Sequence, residues 1–313
     1  MVSSPILGDM SPDKFLAEYW QKKPLLIRNA IKDFSPPIDG NELAGLSLEE
    51  EVESRLVIGD NWRVEHGPFS EQRFQQLADH NWTLLVQAVN LWVPEVAELL
   101  NSFSFLPAWR IDDIMVSYAT DGGSVGPHFD NYDVFLIQGA GRRKWSVGDI
   151  CDKDSPLVPH NDLRILADCN FNNEWIVESG DMLYLPPHFS HYGVAIGSCT
   201  TFSIGFRAPS AAEILDDLTT ELISQNKLLS YLKDPPLQSQ MAGQAIPKAY
   251  IRQIKALISE SLNDDDALMQ WFASYMTRPK YPHLTDITGE SRRAHIELVG
   301  KKLPTYFNNG EPN

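Results

Sequence analysis

Residues 125–138 read VGPHFDNYDVFLIQ, with His128 and Asp130 one residue apart ahead of an apolar run. Whether this stretch is a β-strand decides the fold. Along a strand the side chains alternate, so His128 and Asp130 would share a face, roughly 6–7 Å apart at the backbone. At that spacing an imidazole nitrogen and a carboxylate oxygen converge on one ion, while Phe129 points into the opposite core. Gly122-Gly123 and Gly126-Pro127 fit a tight entry to the strand. If the alternation continues, Tyr132 joins the face of His128 and Asp130.

The surroundings support a β-rich reading. From Ala108 to about Arg207, short runs such as DIMVSYA, DVFLIQ, KWSVG, MLYLPP, HYGVAIG and TFSIGF are separated by DGG, GAG and ESGD. Short strands with this punctuation predict a sandwich or barrel rather than βαβ units. An H-x-D pair alone is weak, because the two-histidine, one-carboxylate triad needs a second histidine from a later strand. The stretch GDMLYLPPHFSHYG offers two. Gly180-Asp181 reads as a hairpin turn, Met182 to Leu185 as a strand, and Pro186-Pro187 as a break. His188 falls in the loop after the prolines and His191 opens the next strand, which favours His191. The other histidines, His66, His80, His160, His283 and His295, read as structural or surface residues.

The flanks are helical. Ser11-Pro12 starts a helix carrying Phe15, Leu16, Tyr19 and Trp20; Ser70 caps another, and Pro94 opens a third. Trp82 to Val89 and the run LLIR read as strands. Beyond Arg207, Ser210 to Glu213 forms a capping box before Ile214, Leu215, Leu218 and Leu222. KDPPLQSQ breaks the pattern, Ile251, Ile254, Ile258 and Leu262 make a second stripe, and Asp264-Asp265-Asp266 starts a further helix. These stripes suit core or dimer faces, and the final NNGEPN reads as disordered.

Bulk properties narrow the function. The 313 residues suit one large unit plus smaller ones, and no apolar run is long enough to span a bilayer. The N-terminus lacks the basic start and apolar core of a secretory signal. Three dispersed cysteines with no CxxC pairing fit a reducing cytoplasm and argue against a thiolate zinc site. A net charge of −16 opposes phosphate binding and fits a basic partner.

GPHFDNYDVFLIQGAGRRKW, GDMLYLPPHFSHYG and FSIGFRAP together resemble the JmjC-type bacterial ribosomal oxygenases. FLAEYWQKKPLLIR resembles the entry segment of that family, and WFASYMTRPKYP part of its winged-helix region, so the likeness covers nearly the whole chain. It implies an α+β fold in three parts: a double-stranded β-helix (jelly-roll, cupin/JmjC) catalytic domain at 1–208, a helical dimerisation region at 209–262, and a winged-helix-like, reduced C-terminal region at 263–313. It implies a cytoplasmic Fe(II)- and 2-oxoglutarate-dependent dioxygenase, consuming O2, that hydroxylates an arginine of large-subunit ribosomal protein sixteen. The partners expected are that basic protein and a second copy of the chain, with no nucleic acid and no membrane.

By the same resemblance His128, Asp130 and His191 hold the metal, and Arg143 holds the distal carboxylate of 2-oxoglutarate. Arginine suits that task because its planar fork makes two parallel hydrogen bonds to a carboxylate. Ser117 and Ser203 are the candidate hydroxyl contacts. Of the neighbouring Asp112 and Asp113, the likeness selects Asp113, with Met115 and Tyr132, as the substrate pocket. The alternatives are another JmjC chemistry that shares the metal and cosubstrate residues, such as hydroxylation of histidine or asparagine or lysine demethylation, or a cupin-like binding module that keeps the fold without chemistry.

Overall fold

The computed structural model describes residues 6–236, 246–301 and 303–313. Of the break at 233–240, the residues from 237 onward lie outside the described residues. The chain divides into two compact units: one runs to Ala208 and includes His283–Glu290, the other comprises Pro209–Pro282 and Ser291–Asn313.

The first unit begins with α1 (Pro12–Glu18), β1 (Leu25–Ile27), α2 (Gly40–Leu46), β2 (Ser54–Ile58), β3 (Arg63–His66), α3 (Glu71–Gln75), β4 (Trp82–Val86) and α4 (Pro94–Ala97). Ser11 caps α1 by accepting from the Lys14 amide at 3.2 Å, and Pro12 occupies its first turn, where no amide proton is needed. The β-rich centre follows as β5 (Ile111–Ala119), β6 (Val134–Gln138), β7 (Arg142–Ile150), β8 (Phe171–Val177), β9 (Met182–Leu185), β10 (Phe189–Ile196) and β11 (Cys199–Phe206).

These strands form two antiparallel sheets. The larger has eight strands in the order β1-β9-β6-β11-β5-β4-β2-β3, the smaller three in the order β10-β7-β8. Period-two alternation sorts the larger sheet's side chains. Ile114, Val116, Phe135, Ile137, Phe202 and Ile204 point to one face, where they pack with Phe15, Leu43 and Val96 of the helices. Burying Phe15 completely stabilises this layer by roughly 1.5–3 kcal/mol. The opposite face contributes Val134, Leu136, Leu183 and Leu185, which meet Trp145, Val147 and Val177 of the smaller sheet. From β5 to β11 the chain thus passes back and forth between two facing sheets around an inner wall, a double-stranded β-helix of the cupin type.

Three expectations change here. Residues 125–133 form a loop, not a strand; among the described residues its one ladder contact is an isolated bridge between His128 and His191. Gly180-Asp181 is a turn but not a hairpin, because β8 belongs to the smaller sheet while β9 pairs with β1 and β6 in the larger. Trp82 to Val89 is strand only as far as Val86.

In the second unit lie α5 (Ala211–Ser224), α6 (Lys248–Glu260) and α7 (Asp265–Thr277); α8 (Thr285–Thr288) belongs with the first. The Ser210–Glu213 capping box is present at α5, and Asp264 caps α7. β12 (Arg293–Ile296), β13 (Thr305–Asn308) and β14 (Glu311–Pro312) make a small antiparallel sheet. The end of the chain, expected to be disordered, pairs Asn308 with Glu311 through Asn309 and Gly310, both at positive φ, as a two-residue hairpin requires. Among the described residues no helix is long and apolar enough to cross a membrane.

Candidate metal centre

His128, Asp130 and His191 each offer a ligand atom, and the three atoms lie within 4.8 Å of one another. The backbone brings them together. His128 N–H donates to the His191 carbonyl at 3.0 Å and His191 N–H to the His128 carbonyl at 2.8 Å, which places the imidazole centroids 4.2 Å apart. Asp130 Oδ2 lies 3.6 Å from His191 Nε2. The loop is pinned at both ends. Gly126 adopts φ +81°, a conformation that a side chain would strain. At the exit, the wholly buried Asp133 accepts from Tyr184 Oη at 2.7 Å and Gln21 Nε2 at 3.0 Å, with Arg110 at 3.5 Å.

The donor chemistry fits a divalent metal. The Nδ1 of His128 lies 2.9 Å from the Gly126 carbonyl, and that of His191 lies 2.9 Å from the Phe189 carbonyl. A carbonyl only accepts, so in each ring Nδ1 carries the proton and Nε2 keeps its lone pair, the usual arrangement of a ligating histidine. Burial, with the neighbouring His128, lowers the pKa of His191 to about 4, so its ring stays neutral at physiological pH. Two imidazoles and a carboxylate without thiolate ligands suit Fe(II) and leave further coordination positions open. His188 is not part of the triad. It occupies a turn at φ +73°, its amide donating to the Asp130 carbonyl at 2.7 Å. Phe129, expected in a core, is half-buried with its ring 5.9 Å from that of His188.

The remaining candidates fall on the inner wall. Register pairs Val147 with His191, Trp145 with Gly193 and Arg143 with Ala195, so Arg143, Trp145 and His191 share one face of the smaller sheet. Arg143 is 3% exposed, and among the described residues its Nε and Nη2 have no hydrogen-bond partner. Its guanidinium lies 5.7 Å from the centroid of Trp145, which in turn lies 5.9 Å from His191. Trp145, spaced two residues from Arg143, was missed in the sequence although its periodicity was visible there. On the facing sheet, Ser117 pairs with Thr201 and Met115 with Ser203, and both serines are buried.

The two aspartates separate cleanly. Asp112 forms an ion pair with Arg207 at 3.2 Å, whereas Asp113 is buried and accepts from Gln87 Nε2 at 2.7 Å. Tyr132 reaches the site without the strand alternation expected of it. It is 40% exposed, yet the Asp130 charge, then burial, then Asp113 hold its phenol well above the usual pKa.

A double-stranded β-helix with a two-histidine, one-carboxylate cluster on its inner wall is the arrangement of the JmjC class of cupin-fold proteins. The JmjC domain family matches residues 98–214 and the AraC-like ligand binding domain residues 169–271. The chain belongs to the JmjC ribosomal oxygenases, being 38% identical over 272 residues to the ribosomal protein uL16 3-hydroxylase of Escherichia coli, with 86% of this chain and 72% of that protein covered. It is also 39% identical over 266 residues to a probable ribosomal oxygenase of Haemophilus influenzae, covering 82% and 66% of the two chains. The structure of YcfD, a ribosomal oxygenase from E. coli, in complex with cobalt and 2-oxoglutarate superposes with a TM-score of 0.81 at 31% identity, over 97% of this chain and 86% of that one.

Proposed function

We propose that this protein is a cytoplasmic Fe(II)- and 2-oxoglutarate-dependent dioxygenase that hydroxylates an arginine side chain of a large-subunit ribosomal protein, uL16 in its relatives. The observation that carries the reading is the buried guanidinium of Arg143, whose Nε and Nη2 find no hydrogen-bond partner among the described residues, on the same sheet face as His191 of the triad. A buried cation without a partner is costly, and a carboxylate ligand would remove that cost.

Bound to His128, Asp130 and His191, Fe(II) with 2-oxoglutarate supplies the oxidising power to insert one atom of O2 into an unactivated C–H bond, with release of carbon dioxide and succinate. The chain's residues bind, orient and exclude water. Arg143 grips the distal carboxylate through parallel N–H donors, and Ser117 or Ser203 adds a hydroxyl. Trp145 closes the wall between Arg143 and the triad. Asp113, Met115 and Tyr132 receive the substrate side chain, a carboxylate and an aromatic ring being the partners a guanidinium prefers. Holding one carbon beside the metal selects the site of reaction.

The second unit is proposed to serve assembly. Its α6 exposes Ile251, Ile254 and Ile258, a stripe that a second copy of the chain would cover in a homodimer through 209–262. Residues 263–313, with α7 and the β12–β14 sheet, are proposed as a reduced winged helix for protein contact, the net charge of −16 disfavouring nucleic acid.

The test is turnover of a uL16-derived peptide with Fe(II), 2-oxoglutarate and air. One added oxygen atom on an arginine, with matching succinate and none from Asp130→Ala, is expected. Oxygen gained on a histidine, or succinate formed with no modified peptide, would overturn the arginine assignment.

A further inference from the structure

The inner wall carries a gap that the backbone does not require. Along β11 the inward positions are Thr201, Ser203 and Gly205, and at Gly205 the side chain is missing. The register against β5 is interrupted there: Ile204 pairs with Ile114 and Phe206 with Ile111, so Asp112 and Asp113 together oppose the single Gly205. Such a bulge re-aims side chains, and here Asp112 goes to Arg207 and Asp113 to the interior. The φ of Gly205 lies outside the left-handed region, so the bulge could accommodate a side chain. Among the described residues a Cβ built on it would meet only Tyr132 Cε2 at 3.8 Å and Asp113 Oδ1 at 4.0 Å, ordinary contact distances. Neither conformation nor crowding accounts for glycine at this position. A glycine inside a strand also marks close approach of a ligand.

The two atoms that border the gap belong to a carboxylate and an aromatic ring. The carboxylate is held from behind: Gln87 Nε2 donates to Asp113 Oδ2 at 2.7 Å, and Gln87 is itself anchored by its amide, which donates to the Glu53 carbonyl at 2.9 Å. This amide donor fixes the orientation of Asp113, the carboxylate that a guanidinium entering the gap would meet.

We propose that Gly205 is the floor of the subsite for the substrate's guanidinium, and that Gln87 is the positioning residue that sets Asp113 on its wall. This rests on the arginine reading above and adds the residues that determine how much side chain the pocket admits. The space left by one missing Cβ is the space through which the guanidinium passes between Asp113 and Tyr132. A methyl group at that place shortens the pocket without touching metal or cosubstrate.

The experiment uses the full chain loaded with Mn(II) and 2-oxoglutarate without air, measuring affinity for a uL16-derived arginine peptide and for the same peptide with citrulline, the neutral isostere. Turnover with Fe(II) in air follows. Gly205→Ala is expected to weaken arginine-peptide binding and raise KM at least about tenfold, with 2-oxoglutarate affinity unchanged. Gln87→Leu is expected to narrow the preference for arginine over citrulline, whereas a merely structural role would weaken both peptides alike. Unaltered KM in a folded Gly205→Ala, or unaltered preference in Gln87→Leu, would overturn the corresponding assignment. A wild-type protein that leaves the arginine peptide unmodified would overturn the arginine reading and this subsite with it, an outcome visible before any variant is made.

Discussion

Arg143 and His191 face the same interior and depend on burial in opposite ways. The guanidinium is buried in the wall, and among the described residues its Nε and Nη2 have no hydrogen-bond partner. Replacing it with methionine removes the cation and should raise the KM for 2-oxoglutarate by about ten- to a hundredfold, the range for a charge-assisted hydrogen bond; Arg143→Lys should recover part of the loss, because an ammonium supplies charge without the fork. Titrating succinate production against 2-oxoglutarate measures both. His191 loses its charge to burial, its pKa falling from 6.5 to about 4. The unfolded chain therefore binds more protons than the folded one between these values, so the metal-free protein is fully stabilised above about pH 6.5 and loses stability as the pH falls towards 4. The loss is on the order of 3 kcal/mol. Thermal melts of metal-free protein across that window should slope downward with acid, and less steeply in His191→Gln.

Elements show where local chemistry and global arrangement part company. Gly193 faces Trp145, and a Cβ there would come within 2.6 Å of the indole ring. Gly193→Ala should push that ring towards Arg143 and His191 and weaken both metal and 2-oxoglutarate binding, measurable by calorimetry, although the substitution touches neither ligand. The strands β5, β6, β9 and β11 were legible in the sequence because each alternates or stays apolar over its length. So were the caps at Ser11, Ser70 and Ser210, each confirmed by a side chain accepting from the first turn, and the helix start at Asp264. The loop around His128 was not, because His128-Phe129-Asp130 alternates as a strand's residues would, whereas a single β-bridge is its ladder pairing among the described residues. The Gly180-Asp181 turn was misread as a hairpin because turn residues report a change of direction and not which sheet receives the next strand. Nothing in FSIGF signals the bulge at Gly205, which arises from a count of residues on the neighbouring strand.

The whole molecule is strongly acidic, with a formal charge of −16, and its proposed substrate is basic. Long-range attraction should then accelerate encounter, and kcat/KM for a basic peptide should fall as sodium chloride is raised from about 50 to about 500 mM, over which the Debye length shortens severalfold. A net-neutral peptide carrying the same target residue should show little change. Alternation between the two sheets also explains how residues 128 and 191, distant in sequence, become neighbours: a mutual pair of amide hydrogen bonds ties one to the other before any ion is considered. On the proposed ligand set, the coordination geometry is therefore built into the fold. Starvation for iron would leave an empty socket of unchanged shape, which fresh metal could re-arm without any remaking of the chain.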